Sequence, residues 1–325
     1  MRVRGSVVVV TGASSGIGRA TALAFARKGC AVVLAARRRE ALEEVARECE
    51  RHRGAQALAV PTDVTDAASV DDLARRAVER FGRIDVWVND AAVTVFGPFL
   101  DVPPDDFRRV LDVNVMGYVH GARAALGVMR EQGWGTLVNV SSVVAALPQP
   151  YTHAYGMSKA AVRALGTSLR QELWLEGARR IKVCTVLPAT IDTPLFEHAA
   201  NYTGRRPVAM PPVYSPERVA RAVVGLVRSP RREVVVGPAG REIVMQAKTA
   251  PGPAEKLMAF QTDRTHLSRR ETGPDTPGNL HEPAPGEGAV HGGWHGRRRT
   301  AVRRLATAAL LTGTALGVGR RLRAR

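Results

Sequence analysis

Tyr155 and Lys159 stand four residues apart in a stretch of helical periodicity, so both side chains leave one face of the helix. A phenol ordinarily ionises near pH 10, and using one as an acid or base near neutrality takes roughly 4 kcal/mol of help. An ammonium held alongside supplies part of that by favouring the phenolate. Ser142 ends a β-branched run thirteen residues before Tyr155, where its hydroxyl can donate to a carbonyl oxygen on which charge develops. The three residue types suit proton exchange at a carbonyl or alcohol. Tyr-x-x-x-Lys by itself also arises in helices by chance.

A second constellation sits near the amino terminus. Val7-Val8-Val9-Val10 runs into Thr11-Gly12-Ala13-Ser14-Ser15-Gly16-Ile17-Gly18 and then into a helical pattern. Glycines there let backbone approach phosphate oxygens at a helix N-terminus, which is the design of a dinucleotide cradle, although a glycine-rich turn also serves as a plain strand-to-helix connection. An acidic residue closing the second strand would bind a ribose 2′-hydroxyl. Here that strand closes Ala35-Ala36-Arg37-Arg38. The lack of a carboxylate and the guanidinium of Arg37 favour NADP(H) over NAD(H), through bidentate pairing with a 2′-phosphate. Arg is abundant throughout, so a solvated surface role for Arg37 also fits. An oxidised nicotinamide would place a second positive charge beside the phenol.

These residues need a scaffold that gathers them. Short β-branched runs at 7–11, 31–36, 55–60, 84–89, 135–141, 181–187 and 233–236 alternate with helical patterns at 16–28, 39–51, 67–81, 104–130, 155–175 and 216–228. Such alternation predicts βαβ units and an α/β, doubly wound fold of Rossmann type, with a seven-stranded, mainly parallel sheet. Strands apolar almost throughout, such as the first, are those that helices cover on both faces.

On these motifs the chain resembles the short-chain dehydrogenase/reductase family. Thr11-Gly12-x-x-x-Gly16-Ile17-Gly18, Asp63-Val64 after the third strand, Asn114 in the long helix, Ser142, Tyr155-Gly156-Met157-Ser158-Lys159 and Pro188-Ala189-Thr190-Ile191-Asp192-Thr193 occur in the family's order over about residues 5–240. The resemblance implies hydride transfer between a nicotinamide and a carbonyl or alcohol, with Tyr155 as acid/base. Lys159 would lower the tyrosine's pKa and hold the nicotinamide ribose, Ser142 would orient the carbonyl, and Asn114 would hold a water linking Lys159 to solvent. Asp63 would accept from the adenine amino group and the Val64 backbone would contact the ring. Asn89 and Ala91 would line the cofactor ribose, and Pro188, Ile191 and Thr193 would flank the nicotinamide carboxamide. Plainer roles also exist: Asp63 as a helix cap, Asn114 satisfying backbone groups at a helix kink. The resemblance further implies a homo-oligomer formed through the helices around Asn114 and Tyr155.

Two departures stand out. The family's Asn-Asn-Ala-Gly is Asn89-Asp90-Ala91-Ala92 here, which adds a carboxyl and a methyl near the cofactor. Ala189 replaces a glycine, harmless only where φ stays negative. The segment 192–214, expected to form a lid, carries Leu195, Phe196, Tyr202 and Met210; these suit an apolar substrate, and equally suit packing against the sheet edge.

The net charge of +17 invites a nucleic-acid reading. Its distribution argues otherwise, since residues 246–325 hold 14 basic and 6 acidic residues and the rest of the basic surplus is Arg scattered over helices. No specific nucleic-acid partner is expected. Three scattered cysteines and no Cys/His ligand spacing predict neither a disulfide framework nor a metal site. The start of the chain reads as a first strand and not a signal peptide, and a cytoplasmic location follows.

The expected organisation is a catalytic domain over 1–245, a poorly ordered linker over 246–296 and an Arg-rich tail over 297–325. The linker rests on 14 Pro or Gly within residues 250–296. The tail's uncharged run, 305–319, makes about 22 Å of helix, short of a roughly 30 Å bilayer core. It could lie at an anionic membrane surface or be a plain basic tail. The alternative to an enzyme is a cofactor-binding regulatory or membrane-recruited scaffold protein without turnover.

Overall fold

The computed structural model describes residues 2–284 and 288–294. The uncharged run 305–319 and the Arg-rich tail lie outside the described residues. Seven strands, β1 (Val7–Thr11), β2 (Ala31–Ala36), β3 (Gln56–Pro61), β4 (Val86–Asn89), β5 (Gly135–Val140), β6 (Ile181–Pro188) and β7 (Glu233–Val236), make one sheet. Its spatial order is β7-β6-β5-β4-β1-β2-β3, and every neighbouring pair is parallel.

Side chains alternate along each strand, so the same strands feed two cores. Val8, Val10, Val32, Leu34, Val86 and Val88 pack on one face with α1 (Gly16–Ala26), α2 (Arg39–Glu50) and α7 (Pro216–Arg228). Val9, Val33, Trp87 and Leu137 pack on the other with α3 (Ala67–Phe81) and α5 (Gly117–Gln132). Burial of both faces is why β1 is valine at four of its five positions.

The order of strands reverses between β1 and β4, and ligands of such sheets bind at that crevice, beyond the carboxyl ends of the strands. The glycine turn after β1 and Asp90–Ala91 after β4 therefore become neighbours. Asp66, not Asp63, caps α3 by accepting from Ala68 N at 3.0 Å.

The helix expected over 104–130 is interrupted. α4 (Pro104–Leu111) passes into a π-helical turn, Asp112–Met116, before α5 begins. The cause is Asn114, whose amide takes both backbone groups of Val93: Oδ1 accepts from Val93 N and Nδ2 donates to Val93 O, each at 2.9 Å. A side chain bound at two points to the loop after β4 fixes where the helix must open.

The carboxyl-terminal region differs most from expectation. A boundary at 245 falls inside α8 (Pro238–Thr249), and the supposed linker holds α9 (Pro251–Thr265) and a strand, Leu267–Thr272, antiparallel to Arg205–Pro207. Composition misled there because Pro251 opens its helix, where a missing N–H costs nothing. Over 273–284 the chain runs through turns and bends without regular structure, and bonds such as Asn279 N to His198 O at 2.9 Å tie it to the body of the fold. Glycine and proline here shape a fitted segment; composition alone does not separate that from a loose one.

Candidate active site

A cavity of about 750 Å³ runs along the carboxyl edge of the sheet. Gly12, Ser14, Ser15, Gly16 and Ile17 form its floor at one end, with Arg37, Asp63, Val64 and Ala91 around them. Ser142, Tyr155, Lys159, Pro188, Ile191 and Thr193 line its middle.

The glycine turn is shaped for close approach. Gly12 has φ +70°, and a Cβ there would lie 2.8 Å from the N and Cα of Ala91. At Gly18 a Cβ would meet Gly12 O at 2.2 Å. Neither position has room for a side chain, so the turn folds tightly against the loop after β4.

Four of the expected site residues stand behind the cavity wall and position it. Thr11 Oγ1 accepts from Asp90 N at 3.1 Å and Ala91 N at 3.3 Å, holding the β4 loop against the turn. Gly18 is buried within α1. Asn89 accepts from Trp87 Nε1 and donates to Tyr118 O and to Asn139 Oδ1 at 3.0 Å, a network beneath the sheet edge. Asn114 Nδ2 also donates to Ser158 Oγ at 3.0 Å, and Ser158 donates to Tyr155 O at 2.7 Å, so Asn114 orients the first turns of α6 (His153–Leu175).

Lys159 is 2% exposed, its Nζ 5.4 Å from the centroid of the Tyr155 ring. It donates to Val140 O at 3.1 Å and to the Tyr118 hydroxyl at 3.3 Å. The Tyr155 hydroxyl hydrogen-bonds Ser142, whose Oγ also accepts from Val144 N at 3.3 Å. Serine, phenol and ammonium are thus assembled as their spacing suggested.

The electrostatics add a fourth member. Burial pushes the Tyr155 pKa up and the negative charge of Asp90 pushes it further, while the Ser142 hydrogen bond works the other way. Burial also lowers Lys159, which Asp90 opposes, and burial raises Asp90, which Lys159 and the Gly18 N–H oppose. Asp90 and Lys159 stabilise each other's charged forms inside a low-dielectric site. Together these groups hold the phenol above its ordinary range.

Around the adenosine end, burial disfavours the Asp63 carboxylate, but hydrogen bonds from Thr65 N and Oγ1 and from Arg109 outweigh it and hold the group below its usual range. Arg109, on α4, was not singled out in the sequence because no local pattern links it to Asp63, 46 positions away. Tyr118 was missed for the same reason. Ala189 takes no positive φ; among the described residues Tyr151 is the one non-glycine that does. The substitution for glycine is accordingly accommodated, and Ala189 N bonds Val236 O at 2.9 Å.

At the far end Phe96, Leu195, Phe196, Met210, Ile243 and Met258 line the cavity. Part of that wall is α8 and α9. His266 joins it, edge-on to Phe96 and Phe196 with centroids 5.0 and 5.4 Å away, and burial drives its pKa down to about 4. Among the described residues no group of His, Cys, Asp and Glu could hold a metal ion.

Comparison with known proteins agrees with this geometry. Residues 6–203 match the short chain dehydrogenase family. An uncharacterized oxidoreductase of Bacillus subtilis (strain 168) is 35% identical over 297 residues, covering 90% of this chain and 83% of its own. One from Listeria monocytogenes is 34% identical over 247 residues, covering 73% and 98%. Among solved structures, a short-chain dehydrogenase/reductase from Burkholderia phymatum in complex with NAD superposes with a TM-score of 0.71 at 27% identity, covering 78% of this chain and 97% of that one. An alcohol dehydrogenase from Thermococcus sibiricus complexed with 5-hydroxy-NADP gives 0.63 at 29% identity, covering 72% and 96%. With the glycine turn, the serine and the tyrosine–lysine pair all in place on a seven-stranded parallel sheet, this chain belongs to the short-chain dehydrogenase/reductase family of oxidoreductases.

Proposed function

We propose that the protein transfers a hydride between NADP(H) and an apolar carbonyl or alcohol. The observation that carries the reading is the juxtaposition of Tyr155, hydrogen-bonded to Ser142 and beside buried Lys159, in one cavity with a glycine turn too tight for side chains. A nicotinamide nucleotide suits this cavity because its floor is a glycine turn that opens a helix N-terminus and its wall offers Asp63, Arg37 and Thr193. When bound, that cofactor supplies or accepts the hydride and contributes positive charge when oxidised.

The chain's own residues do the rest. Ser142 holds the substrate oxygen by donating a hydrogen bond, which strengthens as charge builds on that oxygen. Tyr155 gives its proton to the oxygen in reduction and takes it back in oxidation. Lys159 holds the nicotinamide ribose and keeps a positive charge by the phenol. Asp63 and Val64 receive the adenine, Ile191 and Thr193 the carboxamide. Arg37, with no acidic residue closing β2, selects the 2′-phosphate. The solved relatives were seen with NAD, NADH and an NADP derivative, so the choice here rests on Arg37. The aromatic and aliphatic far wall supports an apolar substrate.

A panel of carbonyls assayed with NADPH and NADH tests the reading. Tyr155→Phe should lower kcat by about 10²–10⁴, and Arg37→Ala should raise KM for NADPH about tenfold while sparing NADH. Unchanged turnover in Tyr155→Phe would overturn the mechanism.

A further inference from the structure

Residues 288–294 sit on the glycine turn in the manner of a ligand. Gly16 opens α1, so its N–H is one of the donors that a helix N-terminus leaves without an intrahelical partner. That N–H donates to Ala289 O at 2.9 Å. Arg19, three residues along the same helix, donates to Gly288 O, while Glu44 and Glu48 of α2 hold its guanidinium at 2.6 and 2.9 Å. Gly288 is so close to the turn that a Cβ on it would be 1.9 Å from Ser14 O. Further along, a Cβ on Gly292 would be 2.3 Å from Thr193 O. The segment therefore covers both the turn assigned to the phosphates and the residue assigned to the carboxamide.

Its anchors lie to the side of that turn. Asp192, which the nucleotide reading leaves without a role, accepts at Oδ1 from Gly292 N at 3.1 Å and Trp294 N at 2.7 Å, and its Oδ2 meets His291 Nδ1 at 3.1 Å. The other nitrogen of His291 lies 2.9 Å from Glu217 on α7. Trp294 is buried, edge-on to Phe196 with centroids 6.0 Å apart and packed with Ala209 and Val213. Val290 packs against the core on the α1 face of the sheet.

A phosphate oxygen on the turn needs the Gly16 N–H that Ala289 O takes and the space above Ser14 that Gly288 fills. Segment and phosphate exclude each other there. The phosphate is the stronger acceptor because it is charged. The carbonyl has the advantage of belonging to the same chain, which gives it a high effective concentration.

We propose that residues 288–294 are an autoinhibitory segment, an internal competitor that occupies the phosphate position on the glycine turn and must lift from Gly16 before coenzyme binds. This rests on the nicotinamide nucleotide reading above. The apparent Kd for coenzyme is then the intrinsic value divided by the fraction of molecules with the segment lifted. Loosening the segment tightens coenzyme binding.

The test uses the full chain and NADPH as the probe. Kd is read by coenzyme fluorescence, and hydrogen exchange at the amides of 288–294 is compared with and without saturating NADPH. Those amides should exchange faster when NADPH is bound. Gly288→Val, whose side chain has no room against Ser14 in the docked segment and is unhindered once the segment lifts, should lower Kd about tenfold. His291→Ala removes a half-exposed side chain from the anchor at Asp192; it should lower Kd about threefold, and it serves if Gly288→Val fails to fold. Variants that bind while wild type does not would be the same result in its extreme form. A Kd unchanged or raised in the folded variants, or exchange of 288–294 unchanged or slowed by NADPH, would overturn the autoinhibitory role and leave the nucleotide reading standing. Failure of wild type and of both variants to bind either NADPH or NADH would overturn both.

Discussion

At the scale of single residues the unusual member is Asp90. It places a buried carboxyl in the same low-dielectric site as Lys159 and Tyr155: burial pushes its own pKa up to about 8, and its charge, where ionised, raises the pKa of both the phenol and the ammonium. Asp90→Asn removes that charge and keeps the shape. Tyr155 should then ionise at lower pH, because one of the groups raising its pKa is gone, and Lys159 should also release its proton more easily. Alcohol oxidation needs the phenolate as base, so the rising limb of its kcat–pH profile should move to lower pH in Asp90→Asn. An unmoved profile would mean that Asp90 does not act on the tyrosine. The presence of Asp90 was legible in the sequence as a departure after β4. Its electrostatic coupling to Lys159 was not, since 69 positions separate them: Asp90 follows β4, while Lys159 sits on α6 and is held at the end of β5 by its bond to Val140 O.

At the scale of elements, the break between α4 and α5 does the positioning. Asn114 trades helical regularity for three hydrogen bonds, two to Val93 and one to Ser158, and so links the β4 loop to the start of α6. Asn114→Ala would leave the N–H and C=O of Val93 buried and unpaired, at a cost of about 2–4 kcal/mol. Chemical denaturation should show that loss, and kcat should fall with it because Tyr155 rides on the same turn of α6. A stable variant with full activity would show the break to be incidental. Periodicity had predicted one helix over 104–130, and it could not do otherwise. A π-turn keeps the helical hydrophobic pattern almost intact, and what opens it is a contact with the loop after β4, 21 residues earlier.

At the scale of the whole molecule, the lid and the carboxyl-terminal elements close the site together. Val208 accepts from His266, and Asp106 is shared between Tyr202 of segment 192–214 and His281 of the carboxyl-terminal region. His266 is neutral in this environment. Its folded pKa of about 4 lies below the unfolded value near 6.5, so between those values the unfolded chain binds one more proton than the folded one. Stability is therefore intact above pH 6.5 and falls as the pH drops toward 4, by about 3 kcal/mol from this residue. His266→Gln, which keeps an N–H donor for Val208 O, should flatten that slope in denaturation curves measured from pH 7 to pH 4. A slope identical to wild type would place the acid sensitivity elsewhere. Among the described residues no helix is long and apolar enough to cross a membrane.

The sequence by itself determined the sheet, the glycine turn and the tyrosine–lysine pair, because each is local. Alternation at period two, a tight turn that excludes side chains, and two residues one helical turn apart depend on neighbours in the chain. It also located the departures at Asp90, Ala92 and Ala189. Only the tertiary structure decided what surrounds them: that Ala189 needs no positive φ, that Arg109 braces Asp63, that α8 and α9 wall the far end, and that residues 276–284 and 288–294 lie beside the cavity. Those facts depend on contacts between segments up to some 270 positions apart. Composition registers the glycines and prolines of such a segment, whereas only the surface beneath it determines whether their backbone groups find partners.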